Sequence, residues 1–156
     1  MKKIIMIVLV LVSVGCSLYD YGMDYYFMQK IQKTDIYYHE DFNELHTIDD
    51  IRTYLNDKIK YRSDKTEYWS TTKETLTKGY GDCEDYAIAF MNIYYVVFNE
   101  KCDLAAVHTK QRTVVQGGFV NHALILLPND ILISPRSNMK VHEEIKFIYQ
   151  FDLFFK

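Results

Sequence analysis

Cysteine is scarce: three in 156 residues, one of them at position 16, so Cys83 and Cys102 form the single pair a disulfide could join. A continuous helix over 83–98 would separate its own ends by about 22 Å, and four further residues would have to run the whole way back. The spacing therefore argues against the bridge and makes Cys102 a buried spectator. Close pairs of metal ligands are also missing. Cys83, Cys102, His108 and His122 are too scattered for the paired spacing that nucleates a zinc site. The N-terminal apolar run at 4–12 has nine residues, where about twenty are needed to cross a bilayer. Nor is there an excess of positive charge. The formal charge is −3, and it falls to −5 when a leader holding Lys2 and Lys3 but no acid is set aside. That balance argues against a nucleic-acid partner. Internal repeats and low-complexity tracts are absent.

What remains is an ordinary globular composition, 49% hydrophobic and 25% charged, of a size for one domain. Aromatic residues make up 15%, with 14 Tyr and 9 Phe, enough to fill a core or line a groove. Residues 1–16 read as an export signal: two lysines, the apolar run, then Ser13-Val14-Gly15-Cys16. Gly15-Cys16 resembles a bacterial lipobox, with Ser13 where Leu is usual. The expectation is a lipoprotein acylated on Cys16 and held at the cell membrane or outer membrane; cleavage after Gly15 without acylation would instead give a soluble periplasmic protein. Residues 17–46 read as a tether and wrapping segment, and 47–156 as the folded domain.

Within that domain, Thr47 with Asp50 and Thr71 with Glu74 are capping-box pairs that open two helices, one over 48–60 and a short one ending at Gly79. A polar loop, 62–67, separates them. A third helix is predicted over 83–98, with Ala87, Phe90, Tyr94 and Val97 on one buried stripe. Beyond Asn99 the pattern becomes strands, about 104–109, 112–116, 119–127, 131–134 and 145–155. Helices followed by an antiparallel meander indicate an α+β domain.

The chemistry concentrates in Gly79-Tyr80-Gly81-Asp82-Cys83-Glu84-Asp85. The glycines allow tight geometry, Asp82 suits an N-cap, and Asp82 with Asp85 forms a capping-box-like pair. Cys83 then falls in the first turn of a helix. Unpaired N–H groups and the helix dipole favour a thiolate there, and the backbone N–H of Cys83 can serve an oxyanion. Glu84 and Asp85 act against the thiolate. His122, in an apolar strand, needs partners for both ring nitrogens, which a helix-tip thiol and a polar group on the next strand would supply. A buried structural cysteine and a hydrogen-bonded core histidine are the plainer alternatives.

The block Trp69, Glu74-Thr75-Leu76, Gly79, Gly81-Asp82-Cys83-Glu84-Asp85-Tyr86-Ala87-Ile88-Ala89, followed by His122-Ala123-Leu124, resembles the bacterial transglutaminase-like cysteine peptidases. The resemblance covers about residues 48–134 and implies a papain-like core. The nucleophile's helix N-terminus would pack on an antiparallel sheet, with Cys83 as nucleophile and His122 as general base. It further implies a third member on the next strand, an Asp before Pro, where this chain has Ser134. A serine can hold the imidazole tautomer but cannot stabilise imidazolium with a full charge. Asn138 or Asp130 is then a substitute. In one branch of the family, periplasmic proteases that release adhesins, acids matching Asp82 and Glu84 bind calcium, which makes calcium the one cofactor to consider. The expected function is an exported thiol hydrolase, a peptidase or amidase acting on protein or peptide through a Cys83 thioester. The alternatives are an amine-accepting acyl transferase and a catalytically weak relative that binds peptide or protein in the same groove.

Overall fold

The computed structural model describes residues 30–31, 34–63, 68–110, 119–136 and 145–151. The leader with Cys16, Asn138 and the expected strand at 112–116 lie outside them.

Both capping boxes form. Thr47 accepts from the Asp50 N–H while the Asp50 carboxylate accepts from the Thr47 N–H, opening helix α1, Ile48–Lys58. Thr71 and Glu74 do the same for α2, Thr72–Lys78. Helix α1 stops two residues earlier than its pattern suggests. Lys60 and Tyr61 (β1, Lys60–Tyr61) extend instead, pairing in parallel with Tyr80 and Gly81 (β2, Tyr80–Gly81). Gly79 makes that return possible: it ends α2 at φ +69°, a left-handed conformation that suits glycine.

Helix α3 spans Cys83–Phe98 and ends on a left-handed Asn99. Its sequence suggests one buried stripe, yet every residue from Asp85 to Tyr94 is buried. The helix is central, covered by α1, α2 and a 3-10 turn at Glu40–Glu44 on one side and by a sheet on the other. The sheet contains β3 (Asp103–Lys110), β4 (Phe119–Leu126), β5 (Leu132–Ile133) and β6 (Ile145–Phe151), ordered β5-β4-β3-β6, with every pair antiparallel. The first three form the expected meander, and β6 returns to the far side of β3. Ala123 and Ile125 of β4 face the α3 core, while Leu124 packs with Ala105 on the opposite side, the alternation a strand imposes.

The N-terminal segment is clasped to α3 by one side chain. The buried Asn92 amide accepts from the Tyr37 N–H at 2.8 Å and donates to the Tyr37 carbonyl at 2.7 Å, as a neighbouring strand would.

Candidate active site

The loop entering α3 is fixed from below by Asp85. Its carboxylate is fully buried and accepts from the Ser70 N–H at 2.8 Å and from Lys78 Nζ at 2.7 Å; Lys78 also donates to Ser70 Oγ at 2.6 Å. Asp85 therefore does not pair with Asp82 in a capping box, and Asp82 makes no side-chain cap bond. The expected reciprocal cap is corrected by a tertiary partner: a lysine at the end of α2 offers the buried carboxylate a full opposite charge, which a backbone N–H cannot. Gly81 is needed for close approach. A Cβ there would stand 2.6 Å from Asp85 Cβ and 2.8 Å from Oδ2.

Cys83 begins α3 half-buried, against β4. Its Sγ–H donates to Glu84 Oε2 at 2.9 Å, and the sulfur accepts from the backbone N–H of Ala123, the residue after His122. Helix tip and histidine strand thus meet at this point. Burial pushes the Cys83 thiol well above its usual range, reinforced by the charge and hydrogen bond of Glu84, and then by Asp82; the Ala123 N–H works the other way. Glu84 is itself pushed up to about 8, chiefly by burial and then by the charge of Asp82, with which it shares a hydrogen bond. The resting site therefore holds a protonated thiol beside an Asp82–Glu84 pair that keeps one proton below about pH 8. The helix dipole that favours a thiolate is outweighed by desolvation and the two acids.

His122 sits in β4 opposite Val107, with its Nε2 shielded from solvent. Ser134 follows β5 and is buried, but its hydroxyl accepts from the Arg136 N–H at 3.2 Å and its carbonyl from Arg52 Nε at 3.0 Å. The hydroxyl is engaged in a turn, and no hydrogen bond joins it to His122. Asp130 is exposed in the turn after Leu127, beyond the far end of β4, whose last residue, Leu126, already lies four residues, about 13 Å, along the strand from His122. It cannot orient the ring. His108 lies in β3 opposite Asn121, and Cys102 is buried, its thiol pushed up by desolvation.

Two residues near the site carry no sequence signal. Tyr61 pairs with Gly81, two positions before Cys83, and burial followed by the charges of Cys83, Asp82 and Glu84 raises its phenol. The guanidinium of Arg136 lies 4.6 Å from the Tyr61 ring centre and 5.5 Å from that of Tyr86. Only the tertiary fold brings β1, α3 and the chain after β5 together.

A cysteine at the tip of a central helix, pressed against an antiparallel strand that carries a histidine, defines a papain-like α+β scaffold. Residues 36–94 match the transglutaminase-like superfamily, a stretch that contains Cys83 and stops short of His122. That stretch, rather than the whole chain, is similar to the transglutaminase-like proteins. No curated protein matches it. Among solved structures it is similar to Legionella pneumophila LapG, at 18% identity and a TM-score of 0.56, covering 80% of this chain and 83% of LapG. EGTA-treated LapG gives 17% and 0.55, covering 80% and 81%. Calcium-bound LapG gives 16% and 0.53, covering 80% and 70%. At such identities the likeness is one of fold.

Proposed function

We propose that the protein is an exported thiol hydrolase, a cysteine peptidase or amidase, that acts through a Cys83 thioester with His122 as base. The observation that supports this most is the hydrogen bond from the Ala123 N–H to the Cys83 sulfur, which sets the helix-tip thiol beside the histidine strand. The thiol proton, turned toward Glu84 at rest, passes to His122. The sulfur attacks an amide carbonyl carbon, the C–N bond breaks, and the imidazolium returns the proton to the leaving amine. The N–H of Cys83, in the first turn of α3, would serve the oxyanion. Water then hydrolyses the thioester; an amine in its place gives the transferase outcome.

Asp82 and Glu84 share a hydrogen bond, and their mutual repulsion raises Glu84. Such a carboxylate pair suits a hard divalent cation. Among the described residues no group of three acidic, His or Cys side chains forms, so backbone carbonyls and water would complete the shell. Calcium bound there would neutralise charge that opposes the thiolate. A melting temperature that rises with calcium and no longer does so in Asp82→Asn is the expected outcome; no shift would remove calcium from the scheme.

The activity test is alkylation. Iodoacetamide near neutral pH should modify Cys83 at least tenfold faster than Cys102, and His122→Ala should slow it. Equal, slow labelling would reject the enzyme reading. A binding module is the second reading, favoured by Ser134, whose hydroxyl is held in a turn rather than by the histidine.

Export rests on the leader. Among the described residues no helix is long and apolar enough to cross a membrane. Acylation of Cys16 would anchor the protein, and partition into detergent with acyl mass on Cys16, lost in Cys16→Ala, checks it. A mature form beginning at an unmodified Cys16 would instead establish the soluble periplasmic protein.

A further inference from the structure

Strand β1 has a second edge. In a parallel pair, alternate residues turn both N–H and C=O toward the partner, and those between turn both outward. Here Lys60 donates to the Gly79 carbonyl at 3.0 Å and Arg62 donates to the Gly81 carbonyl at 2.8 Å, so Lys60 and Arg62 face β2. Tyr61 is the residue between them. Its N–H and C=O point away from β2 and make no hydrogen bond among the described residues. Lys60, Tyr61 and Arg62 are all exposed, Tyr61 at 47%. An unpaired main-chain donor and acceptor at such an edge is a template for another extended chain.

The edge is continuous with the site. Tyr61 pairs with Gly81, and Cys83 lies two residues further on. The Arg136 guanidinium bridges the Tyr61 and Tyr86 rings, tying this edge to the first turn of α3. Three extended residues span about 10 Å, enough to run from a strand paired with β1 to the helix tip.

We infer that the substrate is an extended polypeptide segment that docks as an added strand on the free edge of β1, with Tyr61 N–H and C=O as its main-chain partners. This rests on the thiol-hydrolase reading for its chemistry and narrows that reading from amides in general to peptide main chain. Binding by this edge needs no particular side chain at the paired residue, so the Tyr61 main chain selects for extended backbone while its ring contributes contact area.

Proline at position 61 isolates the claim. It removes the outward N–H together with the ring and leaves the bonds of Lys60 and Arg62 to β2 in place, and edge strands tolerate proline where the N–H faces solvent. Tyr61→Ala keeps the N–H and removes the ring. Two electrophiles serve as probes: methyl vinyl sulfone and N-acetyl-trialanyl vinyl sulfone. In the wild type the peptidyl probe should modify Cys83 at least tenfold faster than the small one. Main-chain N-methylation of the probe, or Tyr61→Pro, should erase that advantage, taken as the ratio of the two rates on the same protein, whereas Tyr61→Ala should retain most of it. A missing advantage in the wild type, or one unchanged in a folded Tyr61→Pro protein, overturns the inference. Should neither probe react at Cys83, the hydrolase reading fails and the docking claim is read separately. Fluorescein-labelled, reduced and carboxymethylated lactalbumin, followed by anisotropy, should bind Cys83→Ala at least fivefold more tightly than the Cys83→Ala, Tyr61→Pro double variant. Equal affinity, or no binding to either, overturns it.

Discussion

At the scale of single residues, Glu84 governs the pH behaviour of the site. Its carboxyl lies near 4.5 in an unfolded chain and is pushed up to about 8 in the fold by burial and Asp82. Between those values the native protein holds a proton that the unfolded chain releases. Stability therefore falls as pH climbs from about 4.5 toward about 8, the reverse of a salt-bridged carboxylate. Glu84→Gln should flatten this dependence, seen as a smaller drop in melting temperature between pH 5 and pH 8 measured in EGTA. The same substitution removes the largest charge acting on the Cys83 thiol, so alkylation of Cys83 at pH 8 should quicken. A rate unchanged or slowed would mean that burial alone sets the thiol. The raised thiol was half legible. The acids beside Cys83 are visible in the sequence, but their burial, which lets them prevail over the helix dipole, is a property of packing.

At the scale of elements, the helices were readable because their signals are local. Thr47 with Asp50, Thr71 with Glu74, and Gly79 each act within four residues, and α3 starts at Cys83 and ends at Phe98 as its pattern indicates. The two-residue strands β1 and β2 were not, since two residues carry no period and their pairing spans twenty positions. The role of Asp85 was misread for a related reason. An acid in the first turn looks like a cap until Lys78 and Ser70 are folded beneath it. This post predicts two outcomes. Asp85→Ala should cost roughly 3 kcal/mol by leaving a lysine and a backbone donor without their buried acceptor. Gly81→Ala should cost about 1–3 kcal/mol, because its methyl can fit only by displacing Asp85. Chemical denaturation measures both. Gly81→Ala at wild-type stability would show that the loop, rather than the carboxylate, yields.

At the scale of the whole molecule, the α+β architecture followed from the succession of helical and alternating patterns, and the strand neighbours from their turns. The position of β6 beside β3 did not, because its partner lies some forty residues earlier. The expected third member of the site was equally hidden. Ser134 stands where the family pattern places an acid, yet the turn at Pro135 gives its hydroxyl to Arg136.

The Asn92 clasp on Tyr37 gives the molecule a working radius. Twenty-one positions separate Cys16 from Tyr37, and a chain of that length can reach no further than about 75 Å even when fully drawn out. With an acyl chain on Cys16, that length bounds how far the fold can stand from the membrane, and Ile31, buried in the core, shortens it further. Cys83 lies nine residues, about 13 Å, up α3 from the clasp. An anchored enzyme would then work only on targets held within a thin shell above its own bilayer.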